Sequence, residues 1–147
     1  MGIGDRVDRI TELMERIIQQ EEMYVSFLNA SPWGILVTDK TFKIVFINQT
    51  LERMTGYGIS EIMGKHLEIL MPKSDAKLHA PHEKAYIKSP YPREGNHGLK
   101  PKILHKNGAI VPVEISISPT QVHGQMFYFA SIRVLESLFN TVEGQEK

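Results

Sequence analysis

The strongest constraint on the fold lies in the last third of the chain, where "KPKILHK" and "AIVPVEISIS" flank Asn107-Gly108. Asn-Gly between two β-rich runs marks a hairpin, because both residues tolerate the positive φ that a two-residue turn requires. The second run alternates, with Val111, Val113, Ile115 and Ile117 on one face and Pro112, Glu114, Ser116 and Ser118 on the other. That period of two predicts a strand with one face turned inward. The final run, "QMFYFASIRV", is apolar on both faces, Phe127 and Phe129 on one and Met126, Tyr128, Ala130 and Ile132 on the other. A strand covered on both sides is expected at or near the centre of its sheet.

The first two thirds divide into a long helix and a run of short elements. Residues 5–29 predict an amphipathic helix: Asp5 can cap it, and Val7, Ile10, Met14, Ile17, Tyr24 and Leu28 recur at three- and four-residue steps, with Glu21 interrupting. The spacing approaches a heptad seam, so the helix needs a partner surface, either its own domain or a second copy. Ser31-Pro32 ends it. "GILVTD" and "KIVFIN", joined at Asp39-Lys40-Thr41, predict a hairpin, after which Asn48 caps a two-turn helix closed by Gly56 and Ser60 caps another closed by Gly64. From His66 to Ser89 the pattern is helical in pieces, broken at Pro72 and Pro81, and a Pro/Gly-rich loop runs from Ser89 to Gly98.

Composition narrows the chemistry. The 147 residues suit one domain, and 17 Lys and Arg balance 17 Asp and Glu, which speaks against a globally basic nucleic-acid binder. The absence of cysteine excludes disulfides, thiolate metal sites, cysteinyl flavin adducts and thioether haem attachment. No run approaches the roughly 18 apolar residues of a membrane span, and the N-terminus lacks a signal-like apolar region, so a cytoplasmic protein is expected. No nucleophile elbow, phosphate loop, HExxH or close carboxylate pair points to an enzyme. Between Lys73 and Lys106, Lys73, Lys77, Lys84, Lys88, Arg93, Lys100, Lys102 and Lys106 face only Asp75, Glu83 and Glu94, a local excess suited to an anionic group or simply to a solvated face.

The order helix, ββ, short helices, loop, βββ resembles a PAS domain from about Ser31 to Leu135. The motifs that carry it are Asn48, Thr55-Gly56-Tyr57, Glu61-Ile62-Met63-Gly64, Asn107-Gly108 and Pro112-Val113-Glu114-Ile115. The resemblance implies an α+β fold: a five-stranded antiparallel sheet with short helices on one face around a ligand pocket, a sensory or dimerising role, and rarely an enzyme. The expected organisation is a helix over 1–30 that forms a homodimer through 5–29, a PAS domain over 31–136 and a tail over 137–147. An effector domain or partner protein would lie outside this chain.

Within that family the ligand is the open choice. Leu67 stands where photosensory members carry a reactive cysteine, which excludes adduct photochemistry. The stretch from Ile69 to Gly98 resembles the haem-b oxygen and redox sensors, in which a histidine after "LMP" holds iron from the proximal side, and His79 occupies that place. A haem needs a neutral imidazole on a rigid element, an apolar cleft, and cations or donors for its propionates. His79 would supply the first, Ile103, Ile115, Ile117, Phe127 and Phe129 the second, and His82, Lys84 or Arg93 the third. Leu99 replaces the arginine with which oxygen sensors bind gas, and His97 stands where another haem member places a sixth ligand, so the resemblance implies bis-histidine iron and a redox or carbon monoxide response. The alternatives are an exposed histidine in "GNHG", a flavin held without an adduct, or an empty pocket in an interaction module. A metal site from His79-x-x-His82 alone is disfavoured, because Pro81 disturbs the helical spacing and no acidic third ligand is evident.

Overall fold

A computed structural model describes residues 2–75, 93–94 and 101–135, and its contacts divide the chain into two compact units, 1–32 and 33–147. The first is the helix α1, Ile3–Ala30. It starts after Gly2 with no side-chain cap, so Asp5 lies in the first turn, where its charge suits the helix dipole rather than closing the end. None of its residues is buried, and Val7, Ile10, Met14, Ile17 and Tyr24 are each more than half exposed. Apolar spacing creates the stripe, and no core within the unit covers it.

The second unit opens with the hairpin β1, Gly34–Asp39, and β2, Ile44–Ile47. Its turn is built by Asp39, whose Oδ1 accepts from the Thr41 amide at 2.8 Å, the Thr41 hydroxyl at 2.7 Å and the Lys43 amide at 3.1 Å. Partial burial would raise the Asp39 pKa, but these donors outweigh it and hold the carboxyl below its usual value. The turn forces Phe42 to φ 64°, a strained value for a bulky residue, and stacking on Tyr128 offsets that strain: centroids 4.7 Å apart, planes within 13°.

Asn48 then caps α2, Gln49–Thr55, by accepting from the Leu51 amide, and Gly56 closes it at φ 78°. The helix α3, Ile59–Ile62, begins after Gly58, two residues before the expected cap at Ser60. Two carboxylates cap it in place of the serine, Glu61 accepting from the Gly58 amide and Glu52 from the Ile59 amide. A 3-10 turn, Leu67–Leu70, follows His66, whose Nδ1 accepts from the Glu68 amide.

The remaining strands are β3, Arg93–Glu94, β4, Lys102–Leu104, β5, Ile110–Val122, and β6, Gln125–Val134. β6 lies between β1 and β5, the central position that its two apolar faces predict. β3 and β4 run along successive parts of the other edge of β5, so the antiparallel sheet is five strands wide in the order β2-β1-β6-β5-β3/β4. Leu51 of α2 and Ile62 of α3 reach the inward face, where they bury completely with Ile44 and pack beside Val113 and Ile132. The helices thus cover one face of the sheet.

Candidate functional site

Strand periodicity decides which side chains can share a site. β5 and β6 pair Ile115 with Ile132, Ile117 with Ala130 and Pro119 with Tyr128, which places these side chains on the inward face. Phe129 pairs with Ser118 and Phe127 with Thr120, so both phenylalanines project from the opposite face. The expected lining of Ile115, Ile117, Phe127 and Phe129 is therefore corrected: one residue of offset moves a strand side chain through the sheet. Met126 and Tyr128 stand on the inward side in their place. Ile103 is 3% exposed and belongs to the main core rather than to a ligand-facing wall.

Two hydrophobic clusters share the inward face. The larger contains Leu36, Ile47, Leu70 and Val113 with the helix residues above; the smaller is the Phe42–Tyr128 stack with Met126. Leu67 and Ile117 are half-buried and pack against both, while Ile115 is half-buried beside the larger one. Burial pushes the Tyr128 hydroxyl pKa up. The backbone of Arg93 registers against Ile117, so β3 runs alongside this patch. An apolar surface of Leu67, Ile115, Ile117 and Met126 next to a stacked aromatic pair can hold a flat apolar ligand by burial and dispersion.

The described residues supply the wall and not the ligating groups. Among them no cluster of three or more His, Asp or Glu side chains has the arrangement to hold a metal ion. His79, His82, Lys84, His97 and Leu99 lie outside the described residues, and Arg93 is described only through its backbone pairing. Lys77, Lys84, Lys88 and Lys100 of the basic stretch fall outside them as well. Among its described members, Lys106 has its ammonium 2.5 Å from the Glu61 carboxylate and 5.7 Å from the centroid of the Tyr57 ring. That hydrogen bond, followed by the one from the Gly58 amide, lowers the Glu61 pKa, and the same partner raises that of Lys106. The Lys106 amide also donates to Thr55 O, so the β4–β5 turn is pinned to the α2–α3 corner at the rim of the helical layer.

Two histidines to which the sequence assigns no role have defined structural work. His105 Nδ1 accepts from the Asn107 amide and packs its ring on Gly56, where an added Cβ would lie 2.5 Å from Cε1. His66 caps the 3-10 turn. The spacing His105-x-Asn107-Gly108 is the signal that could have revealed the first, since a side chain two residues before a turn amide is within its reach.

An antiparallel five-stranded sheet whose helices and inward patch lie on the same side defines a small ligand- or signal-sensing module. A family profile for the PAS fold matches residues 22–133, and the chain belongs to the PAS family as a PAS sensory module. It is 30% identical over 104 residues to a probable serine/threonine-protein kinase of Dictyostelium discoideum, covering 67% of this chain and 7% of that protein. It is 27% identical to a blue-light photoreceptor of Listeria innocua over 76% of this chain and 44% of that one, and 24% identical to the sensor protein FixL of Bradyrhizobium diazoefficiens over 91% and 26%. The chain thus spans less than half the length of each. Among solved structures, the PAS domain of an HTR-like protein from Haloarcula marismortui superposes with a TM-score of 0.70 at 18% identity, over 85% of this chain and 99% of that one. That likeness is one of fold.

Proposed function

We propose that this PAS module is a sensor, not an enzyme, that binds haem b against the inward sheet face and responds to redox state or a diatomic gas. The observation that carries the reading is the half-buried patch of Leu67, Ile115 and Ile117, which joins two clusters on the helical side of the sheet. The sequence resemblance of His79 to the proximal ligand of haem-b sensors supplies the iron ligand, and His97 the sixth. Haem, when bound, supplies an iron whose ligation changes with oxidation state or gas binding. Ile115 and Ile117 would bury the apolar edge of the macrocycle, Leu67 and Met126 would exclude water beside it, and Arg93 or His82 would meet the propionates.

The similarity to a kinase and to a sensor protein supports a role as the input of a larger assembly or as a partner of a separate effector. The exposed stripe of α1 supports homodimerisation through residues 5–29. No helix among the described residues is long and apolar enough to cross a membrane, which is compatible with a cytoplasmic location. Flavin is the second reading, favoured by the similarity to blue-light photoreceptors, with Leu67 restricting it to chemistry without an adduct. Haem reconstitution followed by absorption spectroscopy tests the first reading. The native chain should give a Soret band, His79→Ala should lose it, and His97→Ala should retain haem while converting a six-coordinate low-spin spectrum to a five-coordinate or water-ligated one. A Soret band of equal strength in His79→Ala would remove the assignment.

A further inference from the structure

The apolar stripe of α1 carries a charge pattern that specifies how two copies meet. Heptad positions a and d are Val7, Met14, Glu21 and Leu28, and Ile3, Ile10, Ile17 and Tyr24. Within the described unit none of these is buried, and Ile3, Val7, Ile10, Met14, Ile17 and Tyr24 are between 53% and 81% exposed. The lone charge in the seam is Glu21. All the arginines of the helix, Arg6, Arg9 and Arg16, lie in its first half beside Asp5, Asp8, Glu12 and Glu15, and the charged residues of its second half are Glu21 and Glu22, so the seam-flanking Arg6 rather than net charge is what can meet Glu21. The last turn contains no basic residue to complement the dipole.

These features distinguish the two ways of pairing the helices. A parallel pair in register would set Glu21 against the same carboxylate of the partner inside an apolar seam, and would align two macrodipoles side by side. An antiparallel pair avoids both. With full overlap, Ile3 layers against the partner's Leu28, Val7 against the partner's Tyr24, and Met14 against the partner's Ile17. Glu21 then packs on the partner's Ile10, whose flanking seam position one turn toward the N-terminus is the partner's Arg6. Each seam carboxylate then acquires a guanidinium from the partner's Arg6.

We infer that α1 is an antiparallel dimerisation helix whose occupant is α1 of a second copy, oriented by Glu21 and the partner's Arg6. This rests on the proposed homodimer and adds its direction. The absence of cysteine gives a clean background for testing it. Val7→Cys and Tyr24→Cys variants are oxidised separately and as a mixture, after light scattering has established the mass of the cysteine-free protein. In the antiparallel pair the two Val7 positions lie about 25 Å apart along the axis, far beyond disulfide reach. Each variant alone should give no cross-linked dimer, and the mixture should give the heterodimer. Cross-linking of Val7→Cys and Tyr24→Cys each with itself, and not with the other, would establish a parallel pair and overturn the inference while leaving the homodimer standing. A monomeric mass at tens of micromolar would overturn both. Glu21→Arg should weaken the dimer at least tenfold, and Arg6→Glu in the same chain should restore it. A dimer of unchanged strength in Glu21→Arg would show that this pair does not orient the helices.

Discussion

Asn48→Ala is the substitution whose cost the structure specifies most fully. The side chain is completely buried, and it fastens three segments: Oδ1 accepts from the Ile35 amide at 2.8 Å and the Leu51 amide at 3.0 Å, and Nδ2 donates to Trp33 O at 3.1 Å. Alanine removes the α2 cap, a loss of about 1 kcal/mol. It also strands the buried Ile35 amide inside β1, which costs roughly 1 to 3 kcal/mol. The expected destabilisation is therefore about 3 kcal/mol, a large fraction of the roughly 5 to 15 kcal/mol that holds a typical domain. Urea unfolding followed by the fluorescence of Trp33, the single tryptophan and itself the Asn48 partner, reads the change directly. Asn48→Asp should also destabilise, because it keeps the acceptor for both amides but turns an oxygen toward Trp33 O. A loss under 1 kcal/mol for the alanine variant with an unchanged denaturant slope would refute this account of how the hairpin is tied to the helical layer.

Gly56→Ala should cost roughly 2 kcal/mol or more by urea unfolding, from its φ of 78° and the contact with His105, and His105→Ala in the same chain should recover the steric part but not the backbone part. Because the Asp39 pKa is lowered in the fold, its contribution is present above the unfolded value and lost as pH falls through the folded value. Asp39→Asn should therefore flatten the stability profile below about pH 4, and an unchanged profile would show that this carboxylate does not stabilise the turn. Ile117→Ala should weaken haem binding about tenfold while costing less than the roughly 2 to 5 kcal/mol of a fully buried truncation, as measured by haem titration and urea unfolding together. Unfolding of the variant with binding unchanged per folded molecule would make Ile117 plain core.

What the sequence showed clearly was local. Asn48, Gly56, Gly64 and Gly108 act where their own chemistry demands a cap or a positive φ, Asn107 holds the turn by accepting from the Ala109 amide, and the alternation of β5 and the central place of β6 follow from which faces are apolar. The expected pocket failed at a non-local step. Phe127 and Phe129 are the bulkiest members of their strand, but register against β5, not size, assigns them to the outer face. The β5–β6 turn escaped notice because His123, at φ 50°, takes the role usually given to Asn or Asp before Gly124. The cap at Ser60 yielded to Glu52 and Glu61, since a carboxylate several residues away can serve an amide that a neighbouring hydroxyl would otherwise hold. The histidines that motivate haem fall outside the described residues, so that part of the site rests on resemblance.

The central claim is that a ligand sits on the inward face of the sheet at Ile115 and Ile117. Carbon-13 methyl NMR of isoleucine-labelled protein, recorded with and without haem, tests the location without relying on any variant. A macrocycle seated there should move or broaden the Ile115 and Ile117 methyl signals most and leave the fully buried Ile44 and Ile62 less affected. Larger changes at Ile44 and Ile62 than at Ile115 and Ile117, or none at Ile115 and Ile117 while haem is bound, would contradict it.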